Sequence, residues 1–187
     1  MSTAVTATGT KTVWAIDPAH TDVQFAVRHM MLSSTKGHFP GVSGTIVLDE
    51  NDLTNSSVEV EIDAATIDTR DANRDTHLKS ADFLDAEKFP KLTYKSTSIT
   101  QIDEETYEVN GDLTIKDITR PVVLTTNFNG RGKSPWGIEV LSFSAETTIN
   151  RKDWGLTWNV ALETGGWVVG DKLKISIEVE ANLQQES

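Results

Sequence analysis

Four histidines, His20, His29, His38 and His77, are the side chains best suited to proton transfer or metal ligation near neutral pH. None of them form a zinc-type pair, two apart on a strand or four apart on a helix, and no cysteine is present to add thiolates. The lack of cysteine also removes disulfides, thiol catalysis and iron–sulfur clusters. His29 and His38 can meet across a hairpin, but no third ligand accompanies them. Neither a metal nor a cofactor is therefore expected, and the histidines read as hydrogen-bonded groups at strand ends and in loops. No Gly-x-Ser-x-Gly elbow, phosphate-cradling glycine loop or dinucleotide fingerprint occurs. Acids are plentiful, yet most alternate with apolar residues, as on a solvated strand face.

A denser cluster lies between Asp68 and Lys88. If one helix runs through it, Arg70, Arg74 and His77 stand at i, i+4 and i+7 and share a face. Three potential cations on one stripe can receive a phosphate or a polar head group. The alternative is that Asp71 and Asp75 neutralise them in surface ion pairs worth little. Ser80 can cap a short turn, with Asp82 well placed near its start, and Pro90 ends whatever is helical. Trp154, Trp158 and Trp167 surround a glycine-bearing connection, Gly155 to Gly170, that either forms a flap at an opening or plugs a core.

The elements that must position these groups are strands, because the dominant hydrophobic period is two. Val58, Val60 and Ile62 alternate with Glu59, Glu61 and Asp63, and Leu173, Ile175, Ile177, Val179 and Ala181 alternate with polar residues. Eight strands are expected, near 13–29 (bent around Pro18), 37–49, 56–64, 91–101, 105–116, 119–129, 137–150 and 169–183. Gly111 reads as a bulge or bend within its strand. Turn chemistry at Asp49–Asp52, Asp103–Glu105 and Asn129–Gly132 separates neighbours. Consecutive antiparallel strands with short connections make an all-β barrel or sandwich, here with one helical insert. An eight-stranded barrel is just wide enough for its own side chains or one small ligand.

Composition narrows the partners. The 187 residues carry 17 basic and 28 acidic side chains, a net charge of −11. Such a chain repels nucleic acid and anionic headgroups unless a local basic patch overrides the global field. No apolar run approaches the ~20 residues of a membrane span. Met1 to Lys11 has no apolar stretch of the signal-peptide kind, so the expected location is the cytoplasm, or the periplasm if a signal has been removed. Residues 1–12 and 184–187 read as tails around one domain at 13–183.

Four strings are more specific than periodicity. Ile16–Thr21 with Val27-Arg28-His29 and Gly37-His38-Phe39, then Arg74–Leu84 closing with Phe89-Pro90, then Val109–Val122, then Ile149–Gly155, occur in that order. Together they resemble the YceI-like family across about residues 13–183. The sequence departs in Thr21, where the family often has Ser, and in Leu84, where a second aromatic is common. The resemblance implies an eight-stranded antiparallel lipocalin-like barrel with a short helical insert at about residues 68–90. It implies a long amphiphile in the lumen (a polyisoprenoid, an isoprenoid quinone or a fatty-acid derivative), held for storage or transport without catalysis, and a homodimer. Parity and motif position make Phe25, Val27, His29, Phe39, Leu78 and Phe83 the expected lining. Arg74, His77, Arg151, Trp154 and Trp158 are expected at the mouth or head group. An enzyme using His29 or His77 as acid–base, or an interaction module with a closed barrel, are the alternatives.

Overall fold

The computed structural model describes residues 11–185. Alternation becomes ten antiparallel strands: β1 (Lys11–Ile16), β2 (Asp22–His29), β3 (Ser33–His38), β4 (Val42–Asp49), β5 (Ser57–Asp63), β6 (Lys91–Gln101), β7 (Thr106–Ile115), β8 (Ile118–Lys133), β9 (Glu139–Asn150) and β10 (Val169–Leu183). One helix, α1 (Ala72–Lys79), interrupts them. Of the expected tails, residues 1–10 and 186–187 lie outside the described residues, while Lys11 and Thr12 already belong to β1. No helix among the described residues is long and apolar enough to cross a membrane.

Eight staves close the barrel in the order β1-β4-β5-β6-β7-β8-β9-β10, and β1 returns to pair with β10. The other two strands add no stave. Long β10 pairs with β1 near its C-terminus (Ile16↔Ala181) and with β2 nearer its start (Phe25↔Ile175). So β1 and β2 are one stave broken at Asp17-Pro18, as expected of a bend there. Pro18–His20 forms a 3-10 turn whose capping Asp17 carboxylate accepts the Ala19 N–H at 3.0 Å. β3 and β4 make a second stave, broken at Pro40-Gly41 because proline cannot donate to a ladder; it starts at Ser33, earlier than the expected residue 37.

Two local expectations are corrected. Asn129–Gly132 is not a turn: β8 and β9 stay paired through it, with a register shift between Phe128 and Gly130, whose φ is +141°. Glycine there takes up the irregularity, and the reversal comes at Ser134–Gly137, where the Gly137 N–H donates to the Ser134 carbonyl at 2.9 Å. Gly111 is not the bulge either. It stays in register with Ser96 and Val122, and the shift falls on the facing strand between Ser96 and Ser98. Glycine is required because a Cβ would lie 2.5 Å from the Tyr94 ring that crosses it.

The barrel is sealed at one end and capped at the other. At the sealed end Trp14 and Leu141 are fully buried, and the Arg131 guanidinium sits 5.1 Å from the Trp14 ring centre. Arg131 is itself held by Glu50 at 2.9 Å and Glu139 at 3.0 Å. At the opposite end α1 and the turn after it seat Leu78, Phe83 and Leu84 over the staves. Between the two, Leu173, Ile175, Ile177 and Val179 point inward yet are only half-buried. Inward apolar side chains that stay accessible are the signature of a hollow lumen rather than a close-packed core.

Candidate functional site

The hollow is a cavity of about 300 Å³, walled by Val, Ile, Leu, Phe and Tyr from every stave. Its β10 wall, from Val169 to Val179, spans roughly 25 Å along the axis at ~3.3 Å per residue and a ~40° strand tilt. The wall holds few polar groups, and the buried hydroxyls of Tyr94 and Thr126 among them are bonded to the protein. The Tyr94 hydroxyl lies 3.1 Å from both the Val109 and Val122 carbonyls, and burial raises its pKa, so it stays a neutral donor. The Thr126 hydroxyl donates to the Leu124 carbonyl at 3.2 Å. Among the described residues no buried side-chain polar atom lacks a partner.

Phe25, Val27, Phe39, Leu78, Phe83 and Arg151 are in the wall of this cavity. Phe25 and Phe39 pack with ring centres 5.7 Å apart, and Gly37 leaves room for the Phe25 ring, which any Cβ there would strike. His29, Arg74, His77, Trp154 and Trp158 are not in the wall. His29 shares the parity of Phe25 and Val27 but does not line the lumen; it stands level with the lumen's end, in register with Ser33 and with Val169, where the β10 wall begins. His29 and His38 do not meet across their hairpin, since His38 faces Gln24 at its other end.

The Arg70/Arg74/His77 stripe does not form. α1 begins at Ala72 with Asp71 as its cap, accepting the Arg74 N–H at 3.0 Å, and Arg70 lies outside it at φ +65°. The Arg74 side chain turns back onto Thr69, donating to its hydroxyl at 2.8 Å and its carbonyl at 2.7 Å. His77 contacts Asp82 at 2.9 Å and packs edge-on against Trp158 and Phe83, at 4.6 and 5.1 Å between ring centres. These three rings form a small aromatic cluster beside the α1 end of the lumen. The tryptophans do not cluster. Trp154 plugs the core, its indole N–H donating to the Leu113 carbonyl at 3.0 Å, Trp158 packs on His77 and Phe83, and Trp167 faces solvent.

Arg151 is 2% exposed and works as a strap. Its guanidinium donates to the carbonyls of Gly170 (2.8 Å), Leu156 (2.6 Å), Trp158 (2.9 Å) and Val169 (3.5 Å), with Asp171 at 3.8 Å. Burial lowers its pKa, against the pull of Asp171, yet a guanidinium remains charged. The chain from Leu156 to Gly170 is thereby tied to the barrel rim. Donors already aimed at backbone carbonyls leave little for a ligand's head group.

One constellation was hidden from spacing. Asp17, His20 and Glu180 converge on the outside of the barrel, with His20 Nδ1 3.0 Å from Asp17 and 3.9 Å from Glu180. The hydrogen bond that His20 donates to the Asp17 carboxylate and the charge of Glu180 raise the His20 pKa, and the same bond lowers that of Asp17. Alternation along β10 marked Glu180 as solvent-facing, but nothing in the sequence tied it to a histidine so distant.

A model of the YceI-like domain matches residues 14–181. The chain belongs to the YceI-like family. A UPF0312 protein of Staphylococcus aureus (strain N315) is 35% identical over 175 residues, covering 93% of this chain and 99% of its own. Another from Staphylococcus epidermidis (strain RP62A) is 36% identical over 173 residues, covering 92% and 98%. Among solved structures, the Campylobacter jejuni YCEI protein shares 33% identity and superposes with a TM-score of 0.70, over 91% of this chain and 96% of that one. A polyisoprenoid binding domain from Saccharophagus degradans shares the fold alone, with 9% identity and a TM-score of 0.67 over 91% and 98%. The closed antiparallel barrel with one short helix of this YceI-like chain thus matches the fold of solved structures.

Proposed function

We propose that the barrel binds the apolar tail of a long amphiphile (a polyisoprenoid, an isoprenoid quinone or a fatty-acid derivative) along its lumen, for storage or transport. The observation that carries this reading is the hollow itself: aliphatic side chains such as Ile175 and Ile177 face inward and remain half-exposed. Each buried CH₂ stabilises by ~0.8 kcal/mol, so ten give roughly 8 kcal/mol before ordering costs. The polyisoprenoid-binding domain that shares the fold supports the same ligand class. A neutral or weakly polar head suits the site better than a pyrophosphate, because the Arg74 and Arg151 donors are taken up by Thr69 and by backbone carbonyls. Binding without catalysis is supported by the absence of His29 and His77 from the residues that line the lumen. The test is organic extraction of the purified protein followed by mass spectrometry, together with binding of a panel of prenyl lipids, quinones and fatty amides. A co-purifying or saturable apolar ligand is expected. Absence of any lipid in the extract and of binding across the panel would refute the reading.

A further inference from the structure

The β2–β3 hairpin reverses through His29-Met30-Met31-Leu32, closed by the Leu32 N–H donating to the His29 carbonyl at 3.1 Å. Met30 and Met31 have φ of +52° and +61°, the paired left-handed conformations of a type I′ turn. Such turns are ordinarily built from Asn-Gly, because a side chain in the left-handed region is strained. Here both positions hold methionine, 43% and 58% exposed, followed by Leu32 at 81%. A second tip stands against the first. Ala161 bridges Trp167 across a reversal at Leu162–Gly166, and Trp167 is 54% exposed. The Met30 N–H donates to the Val168 carbonyl at 2.8 Å, and a Cβ on Gly166 would lie 3.1 Å from Met31 Cγ. Neither turn chemistry nor burial accounts for this choice of residues, and Glu163 is the single carboxylate on the two tips.

Directly behind the tips, the outer face of β10, β2 and β3 carries Lys172, Lys174, Arg28 and Lys36, all exposed. Lys174 and Lys36 flank Ala26 in register, and among the described residues none of the four has an ion-pair partner. Nearby Asp171 is engaged by Lys152 at 3.3 Å, and the acids Asp22 and Glu178 lie farther down the same strands. A chain of net charge −11 therefore keeps a local cationic patch next to a convex apolar tip.

We propose that this rim docks on a lipid bilayer bearing anionic headgroups, with Met30, Met31, Leu32 and Trp167 entering the interface and the three lysines meeting phosphates. Arg28 donates to the Met31 carbonyl at 3.0 Å and braces the tip. Two convex tips expose on the order of 500 Å² of apolar surface, short of the ~800 Å² per partner of a stable protein interface. Flexible methionines suit a deformable partner, and tryptophan suits the headgroup level of a membrane. The placement is also continuous with the lumen: Val27 and Val169 are in its wall, on the strands that lead to Met30 and Trp167. The inference rests on the proposed lumen function only for the purpose of docking.

The test is co-sedimentation of the full chain with vesicles of phosphatidylcholine, with and without phosphatidylglycerol. The wild type pellets with the anionic vesicles, less so as salt rises. Met30→Asn/Met31→Gly, which suits the turn, raises the thermal midpoint yet weakens vesicle binding about tenfold. Lys36→Glu/Lys174→Glu weakens binding about tenfold with little change in thermal midpoint. Ile175→Trp, inside the lumen, leaves docking unchanged, so failure of the lumen reading and failure of this one are distinguishable. The proposal is overturned if the wild type pellets with neither vesicle, if the Asn-Gly variant binds as well as the wild type, or if sedimentation velocity finds a dimer that this variant abolishes.

Discussion

Replacing Ile175 by tryptophan separates a hollow barrel from a packed one. Ile175 stands midway along β10, in register with Phe25 on β2 and Thr147 on β9, and faces the lumen. In a close-packed core so large an insertion costs about 1–3 kcal/mol. For a chain of this size that lowers the thermal midpoint by roughly 2–4 °C per kcal/mol. Here the indole enters a cavity of about 300 Å³. It removes about 100 Å² more apolar surface from water, a gain of about 2.5 kcal/mol before side-chain ordering is subtracted. The midpoint should therefore hold or rise. The same ring blocks a lumen only one ligand wide. If about five CH₂ groups lose their place, binding weakens by about 4 kcal/mol, nearly a thousandfold. Calorimetry combined with displacement of an apolar fluorescent probe reads both quantities. A midpoint several degrees lower, or unchanged probe affinity, would refute the hollow-lumen reasoning.

Three further outcomes follow from individual contacts. Arg151→Met leaves the Leu156, Trp158 and Gly170 carbonyls without their donor and should cost about 3 kcal/mol, with new proteolytic cleavage between residues 156 and 169. Gly111→Ala drives a methyl against the Tyr94 ring, costing about 1–3 kcal/mol, and Tyr94→Leu in the same chain should recover part of that in a double-mutant cycle. His20 should titrate above its ordinary 6.5 by NMR, and Asp17→Asn should return it toward that value. The sign follows from linkage: the His20 contribution to stability is present below 6.5 and disappears as pH rises through its raised folded value. The contribution of Asp17 is present above 3.8 and disappears as pH falls through its lowered folded value.

Strand positions and their inward parity were legible because a period of two is local. Val23, Phe25 and Val27, or Leu173 through Val179, declare their face without any knowledge of a partner strand. The bend at Pro18 was legible for the same reason. Contacts decided by backbone geometry were not. The Arg70/Arg74/His77 stripe assumed an unbroken helix, whereas Asp71 is a better cap than a helix interior residue and Arg70 falls outside. Arg151 was recognisable as a special residue, but its partners are carbonyls, which side-chain patterns cannot reveal. Asn129–Gly132 has the composition of a turn, yet the long β8–β9 ladder overrides it through a glycine-tolerated irregularity. Met30-Met31 shows the converse, a true turn with none of the usual turn residues.

The most direct measurement is methyl NMR of the isotopically labelled protein titrated with an isoprenoid quinone. Shifts should concentrate on inward methyls, those of Val60, Leu113, Leu124, Ile175 and Ile177, while the outward Val123 stays still. Saturable shifts confined to that set would establish a tail lying in the lumen. Shifts on the outer face alone, or none at ligand excess, would contradict it.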